Sequence, residues 1–330
     1  MWRFLRRLLT SEYLVLLLTA LYVLCLWPFA PEIVSAQTAL EVIMAMLPLL
    51  LLAIGQTFVL IVAGIDLSIT STMAFSSVVA AALMTGDGGY LAGNALAVPV
   101  ALIAFLLIGL AVGCANGLCV VRLGMPSFMV TLVAQTFLSG AAIWFTSLHS
   151  TSVSIGDLPA AFSVIGRGGI AGIPYALLLC LVVAFAAHWL LGRTTLGRWL
   201  YAVGNNPRAA TVSGVPTGRV IIIAFVLSGF CAALASIVYT SRLETGTPVL
   251  GQRVLLDVIG AAVIGGVSLF GGRGKISWVI LGVLFLSVVD KGLQLLGLSQ
   301  SIVFAVKGGV ILLAAIIDAL RSRILVRVAA

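Results

Sequence analysis

The chain has 330 residues, 62% hydrophobic and only 8% charged, with 18 Lys and Arg against 10 Asp and Glu for a formal net charge of +8. An ordinary soluble domain is about 25% charged, so this chain cannot cover a water-facing surface and lipid must be its solvent; its continuous apolar runs also exclude a barrel, whose strands would alternate polar and apolar residues. The positive balance does not point to nucleic acid, because the arginines sit at segment ends and form no stripe interleaved with aromatics.

About twenty apolar residues cross a bilayer as a helix. Ten spans are predicted on that basis, at 14–30, 40–62, 67–85, 96–121, 126–148, 172–191, 219–241, 254–270, 275–295 and 300–320. The expected fold is therefore an all-α integral membrane protein, a single polytopic domain over 1–330. Arg3, Arg6 and Arg7 precede the first span, and Val34-Ser35-Ala36 resembles a cleavage site. That is signal-peptide grammar, but the many later spans make an uncleaved first helix the expectation.

Between the second and third spans lies Ala63-Gly64-Ile65-Asp66-Leu67-Ser68-Ile69-Thr70. Two readings stand for Asp66. An acid at membrane depth is expensive and marks solute pathways. An Asp before a helix also caps free backbone amides and suits the helix dipole, with Leu67 as the first helical residue.

The segments outside the spans are 149–171 on one side and 192–218 on the other. Neither is long enough to bury a core. The second is basic and punctuated by Gly and Pro. Ala202-Val203-Gly204 ends one short helix there, and Asn206 caps the next, with Pro207 in its first turn. Gly214 stops that helix and Pro216 prevents continuation. Its small residues leave almost no large apolar face for a membrane surface. They suit insertion into a partner's groove instead.

The eighth span is short and glycine-rich, and is expected to be broken or re-entrant. It runs into Ile264-Gly265-Gly266-Val267-Ser268-Leu269-Phe270-Gly271-Gly272-Arg273-Gly274-Lys275, a faint echo of the 64–68 segment. A phosphate-binding loop would need Gly at 269 and Ser or Thr at 276; the chain has Leu269 and Ile276, which rejects nucleotide binding. Further ionisable groups at depth are Arg253 and Asp257, Asp290 and Lys291, and Lys307. They form a proton relay, paired structural charges or charges that snorkel to the interface. Pairing is the preferred reading, since no chain of acids and histidines accompanies them. His149 and His188 are expected at the interfaces. Cys25, Cys114, Cys119, Cys180 and Cys231 have no metal or disulfide spacing and read as buried thiols. No catalytic grouping and no metal site stand out.

Charge sets the orientation. With the N-terminus in the cytoplasm, 13 of the 18 cations fall on the cytoplasmic side and four on the outer side, Lys307 lying within the last span. That satisfies the positive-inside rule with an even number of spans and both termini cytoplasmic.

The chain resembles the permease subunit of ribose-type ABC sugar importers. The resemblance is carried by Gly64-Ile65-Asp66-Leu67-Ser68, by the run from Asn205 to Val215, by the run from Asp257 to Leu269 and by Gly292-Leu293-Gln294-Leu295-Leu296-Gly297. It implies a type II ABC importer-like architecture in the bacterial inner membrane. It also implies two permease subunits, the same chain twice or a paralogous pair. Two cytoplasmic ATPase subunits and a periplasmic sugar-binding protein that delivers a pentose or hexose complete the assembly. ATP and Mg would sit on the ATPase, with no cofactor in this chain. Asn205, Asn206, Pro207, Arg208, Ala209, Ala210, Ser213 and Gly214 would couple to the ATPase. Gly64, Asp66, Ser68, Asp257, Gly265, Gly266, Ser268 and Gln294 are the candidate translocation pathway. The sequence departs from the family at Leu255, often Glu, at Lys291, often Asn, and at Ala63, usually Gly. The rival readings are a proton-coupled secondary transporter of a small polar solute and a membrane enzyme acting on lipids.

Overall fold

An apolar run in lipid has no water to satisfy its backbone, so it closes its own hydrogen bonds as a helix. The computed structural model describes residues 14–252 and 254–329, with side chains to residue 316. The chain runs through α1 (Leu14–Leu26), α2 (Ala36–Ile61), α3 (Ile69–Met84), α4 (Ala97–Arg122), α5 (Ser127–His149) and α6 (Ala160–Arg167). After a two-residue hairpin of β1 (Gly169–Ile170) and β2 (Ile173–Pro174) come α7 (Tyr175–Arg193), α8 (Thr195–Asn205) and α9 (Pro207–Val212). The rest is α10 (Thr217–Leu243), α11 (Leu255–Ile264), α12 (Ile276–Leu295) and α13 (Gln300–Ala329).

Among the described residues, six helices are long and apolar enough to cross a membrane: α2, α4, α5, α7, α10 and α12. Shorter apolar helices, α1, α3, α11 and the stretch Gln300–Ile316 of α13, occupy the other four predicted spans. The eighth span is broken, as its short length and glycines suggest: helix covers only Leu255–Ile264, and residues 265–275 continue without regular structure. The third helix begins at Ile69 rather than at Leu67. The small helix α6 and its hairpin were not predicted, since eight residues carry too little apolar periodicity to be seen.

Burial separates an inner layer from a lipid-facing one. The apolar stretch of α2 is 78% buried and that of α10 67%, against 22% in α5 and 28% in α4 and α7. In α2 every residue from 50 to 61 is buried. Such a helix is apolar all round because protein surrounds it all round. Lipid offers no hydrophobic drive for helices to associate, so close approach of backbones must hold them together. Gly109, Gly113 and Gly117 provide it on one face of α4, against α10. A methyl group at Gly113 would lie 2.9 Å from the Val226 Cα, and one at Gly117 2.9 Å from the Ile222 Cα. Gly55 of α2 is equally tight, 2.8 Å from the Cys231 Cβ.

The two ends of the bundle are distinguished by their connections. At one end α8, which carries α9, lies beside the end of α2 and the segment leading into α12, where Gly272 N–H donates to the Ile61 carbonyl at 2.9 Å. At the other end Ile155 pairs with Gly246, the Thr85 hydroxyl donates to the Gly156 carbonyl at 2.8 Å, and the Arg242 guanidinium donates to the Met44 carbonyl at 2.7 Å. Only Cys180 and Cys231 of the five thiols are buried; Cys25 is exposed, and Cys114 and Cys119 are half-buried. The reading of all five as protein-buried is thus corrected for these three.

Candidate functional site

The sequence-predicted site residues fall into four places. The first is α8 with α9. The Thr194 hydroxyl accepts from the Gly197 N–H at 3.1 Å and starts α8. Leu200, Val203 and Gly204 turn inward. Gly204 meets the backbone of Ile61 so closely that no side chain fits there. The Tyr201 hydroxyl donates to the Gly274 carbonyl at 2.6 Å, and burial pushes its pKa above the ordinary 10.0. The Asn206 carboxamide then accepts from the Ala209 N–H at 3.0 Å, with Pro207 in the first turn of α9. Val215 N–H bonds back to the Ala210 carbonyl and Gly214 N–H to the Thr211 carbonyl, both at 3.0 Å. Gly214 has φ +82°. That pair of bonds is a Schellman stop, which wants glycine at the left-handed position. Asn205, Asn206, Pro207, Arg208, Ala209, Ser213 and Gly214 are exposed, while Ala210 is buried beneath them. A capped, rigid helix thus stands on a helix anchored to the bundle.

The second place is the loop from α2 to α3. Asp66 is 2% exposed. Its Oδ1 accepts from the Ser68 N–H at 3.0 Å and the Ser68 hydroxyl at 2.6 Å, and its Oδ2 accepts from the Ser228 hydroxyl at 2.7 Å. Asn116 donates in turn to the Ser68 hydroxyl at 2.8 Å. With its amide oriented to suit its neighbours, Gln56 bonds both backbone groups of Asp66, at 2.9 and 3.2 Å. Ser68 occupies the cap position of α3 without a side-chain cap bond. Asp66 therefore closes a knot joining α4 and α10 to the loop, and the Ser68 N–H that it accepts also ties down the entry to α3. Gly64 packs against Val59 and Phe225 in the same loop.

Gly265, Gly266 and Ser268 occupy the third place, where α11 ends against Trp278 of α12. Gly266 has φ +102°, and the Ser268 hydroxyl accepts from the Phe270 N–H at 3.2 Å. The faint sequence echo has a spatial counterpart. Both glycine segments follow a helix ending at the same side of the bundle, and they touch through Gly272 and Ile61 and between Gly271 and Ala63. His188, Tyr201, Arg273, Lys275 and Trp278 line a neighbouring cleft of about 470 Å³.

The fourth place gathers Asp257 and Gln294. Lys307 of α13 lies 2.5 Å from Asp257 of α11 and 3.1 Å from Asp290 of α12. Gln294 donates to Asp290 at 2.7 Å, and Lys291 pairs with Glu41 of α2 at 2.6 Å. These groups line a cleft of about 290 Å³ at the end opposite α9, with Tyr239, Ser287, Gln300 and Phe304. The preferred reading of paired charges holds for Lys307, Asp257 and Asp290. Arg253, set beside Asp257 in sequence, lies outside the described residues. The sequence reading missed Glu41, Tyr239 and Ser287. Glu41 had a signal, as the one acid of span 40–62. His149 bonds the Tyr90 hydroxyl at 2.6 Å near this end. No group of three metal-ligating side chains occurs among the described residues.

These features meet what is found in known proteins. The model of the family described as "Branched-chain amino acid transport system / permease component" matches residues 38–315. The ribose import permease protein of Haemophilus influenzae is 33% identical over 288 residues, 87% of each chain. That of Bacillus subtilis is 36% identical over 274 residues, 82% of this chain and 81% of its own. The D-allose transport system permease protein of Escherichia coli is 34% identical over 274 residues, 83% of this chain and 80% of its own. No solved structure matches. The bundle, its apolar crossings and these likenesses agree: the chain belongs to this family of transport-system permease components, as a ribose-type member that passes several times through the inner membrane.

Proposed function

We propose that this chain is the non-catalytic permease subunit of an ATP-driven importer that moves a pentose or hexose across the inner membrane. It crosses ten times in the type II manner, with both termini cytoplasmic. Two copies, or this chain and a paralogue, frame the path. A periplasmic sugar-binding protein delivers the solute, and two cytoplasmic ATPase subunits, which carry ATP and Mg, grip α9 through the exposed residues around Asn206 and Gly214. The observation that carries the reading is the capped helix α9 seated on α8, among relatives named for ribose and D-allose. A rigid helix fixed to the bundle passes motion from a soluble motor to membrane helices, which a flexible loop does not. The positive-inside count supports the cytoplasmic placement of that end.

Uptake by proteoliposomes holding the full importer tests this. ATP depletion should stop uptake of D-ribose or D-allose, and collapse of the proton gradient should leave it running. A second reading, a proton-coupled transporter, draws on the titratable cluster of Lys307, Asp257 and Asp290. The reverse pattern of uptake would establish it instead.

A further inference from the structure

The cleft between α2, α10, α11, α12 and α13 has a chemistry that its ion pairs do not use up. Its two lysines are already engaged, Lys307 by Asp257 and Asp290, and Lys291 by Glu41. An incoming ion would have to break one of these pairs, and a buried charge left alone is strongly unfavourable. Hydrogen-bonding capacity, by contrast, is left over. The side chains of Tyr239, Ser287 and Gln300 line the cleft and make no hydrogen bond among the described residues. Gln294 gives one amide hydrogen to Asp290 and keeps its carbonyl oxygen unused. Tyr239 and Ser287 are half-buried in the cleft wall and Gln294 and Gln300 are exposed at its rim, so their polar groups stand open to an incoming solute. A solute with several hydroxyls, each both donor and acceptor, can pair with them; an apolar solute would strip their water and return no hydrogen bond. The volume of about 290 Å³ lies near the lower limit for small-molecule pockets, the size of a single sugar rather than an oligosaccharide.

We infer that this cleft is a subsite for a neutral monosaccharide at the end of the bundle opposite α9, where solute enters, with Tyr239, Ser287, Gln294 and Gln300 as its hydrogen-bonding groups. The inference rests on the import reading and adds the location and the side chains. The ion pairs hold the cleft's walls in place: Lys307 ties α13 to α11 and α12, and Lys291 ties α12 to α2.

The test uses the full importer in proteoliposomes, with Ser287→Cys in a chain where Cys25, Cys114 and Cys119 are replaced by Ala. A membrane-impermeant maleimide added from the outer side should alkylate the new thiol, and saturating D-ribose or D-allose should slow that reaction at least about threefold, as site occupancy requires. Ser287→Trp, which fills the cleft, should abolish uptake, and Ser287→Ala, which removes one of the hydrogen-bonding groups, should lower it by about three- to tenfold. Absence of labelling, or labelling at the same rate with and without either sugar while ATP-driven uptake is intact, overturns the subsite alone. Absence of ATP-driven uptake of both sugars in the unaltered importer overturns the import reading and the subsite with it.

Discussion

Asp66 shows how one residue admits two readings until its neighbours are known. A carboxylate in the loop between two spans reads as a pathway acid or as a cap. Its three donors come from Ser68, twice, and from Ser228, which is 162 residues away. One of these bonds holds α10 to the loop, and the other two fix the turn that enters α3. Asp66→Ala would strand those buried donors, and a loss of about 3 kcal/mol is expected. Asp66→Asn keeps one oxygen for Ser68 and turns the other into a donor facing Ser228, so it should lower thermal stability by about 1 kcal/mol and leave uptake intact. Denaturation of the detergent-solubilised chain and uptake in proteoliposomes measure the two effects; lost uptake at unchanged stability would return Asp66 to the pathway. Ala63 gives the opposite sign. Its φ of +59° is left-handed, a strain of about 1–2 kcal/mol for a residue with a Cβ. Glycine costs roughly 0.5–1 kcal/mol in chain entropy, so Ala63→Gly should be neutral to stabilising by at most about 1 kcal/mol. A lower melting temperature would contradict this. Tyr201 contributes a pH effect. Because burial raises its pKa, its stabilising bond to Gly274 is fully present below the ordinary value of 10.0 and is lost as pH rises through the higher folded value. Tyr201→Phe should flatten the alkaline limb of a stability profile.

At the scale of elements, α9 depends on its ends more than on its length. A helix of six residues is too short to persist alone, so its cap and its stop decide whether it forms. Asn206→Ala removes the bond to Ala209 and should destabilise α9 by about 1 kcal/mol. Gly214→Asp forces a side chain into φ +82° and places a charge on the exposed face. Both variants should insert normally and retain less ATPase in a pull-down, and deletion of 206–213 should retain none. Normal retention by the deletion would remove α9 from the coupling role. The crossing of α4 and α10 is an element-scale device of another kind. Gly113→Val drives two methyl groups into the backbone of α10, where the nearest contact for a Cβ alone is already under 3 Å. A loss of about 3 kcal/mol or more is expected, read as a fall in the monodisperse fraction on size exclusion.

The whole molecule is sided. Its α9 end and its cleft end lie on opposite sides of the layer of crossing helices, and the proposed orientation, argued from the charge count, puts the α9 end in the cytoplasm. Single-cysteine labelling tests this directly. With the exposed native thiols removed, Asn206→Cys should react only with reagent supplied to the cytoplasmic face, and Asp87→Cys, exposed near the other end, only from outside. Reaction of Asn206→Cys from outside would invert the molecule and end the motor-coupling proposal.

Apolar runs, charge bias and turn punctuation are local properties, and they were legible. The sequence by itself determined that lipid is the solvent, where the ten apolar stretches lie, that Asn206, Pro207 and Gly214 bound a short helix, and that the glycine-rich eighth span is interrupted. Each follows from side-chain and backbone preferences over a few neighbouring residues. Only the tertiary structure decided that Asp66 is knotted to Ser228 and Asn116, that the two glycine segments touch, and that Glu41, Tyr239, Asp257, Asp290 and Lys307 from five helices surround one cleft. Short hydroxyls can bond a carbonyl of their own helix, as Thr57 and Thr146 do, but carboxylates and ammonium groups find their partners across helix interfaces. Which partner each finds depends on how the helices cross, and the period of a single helix carries no record of that.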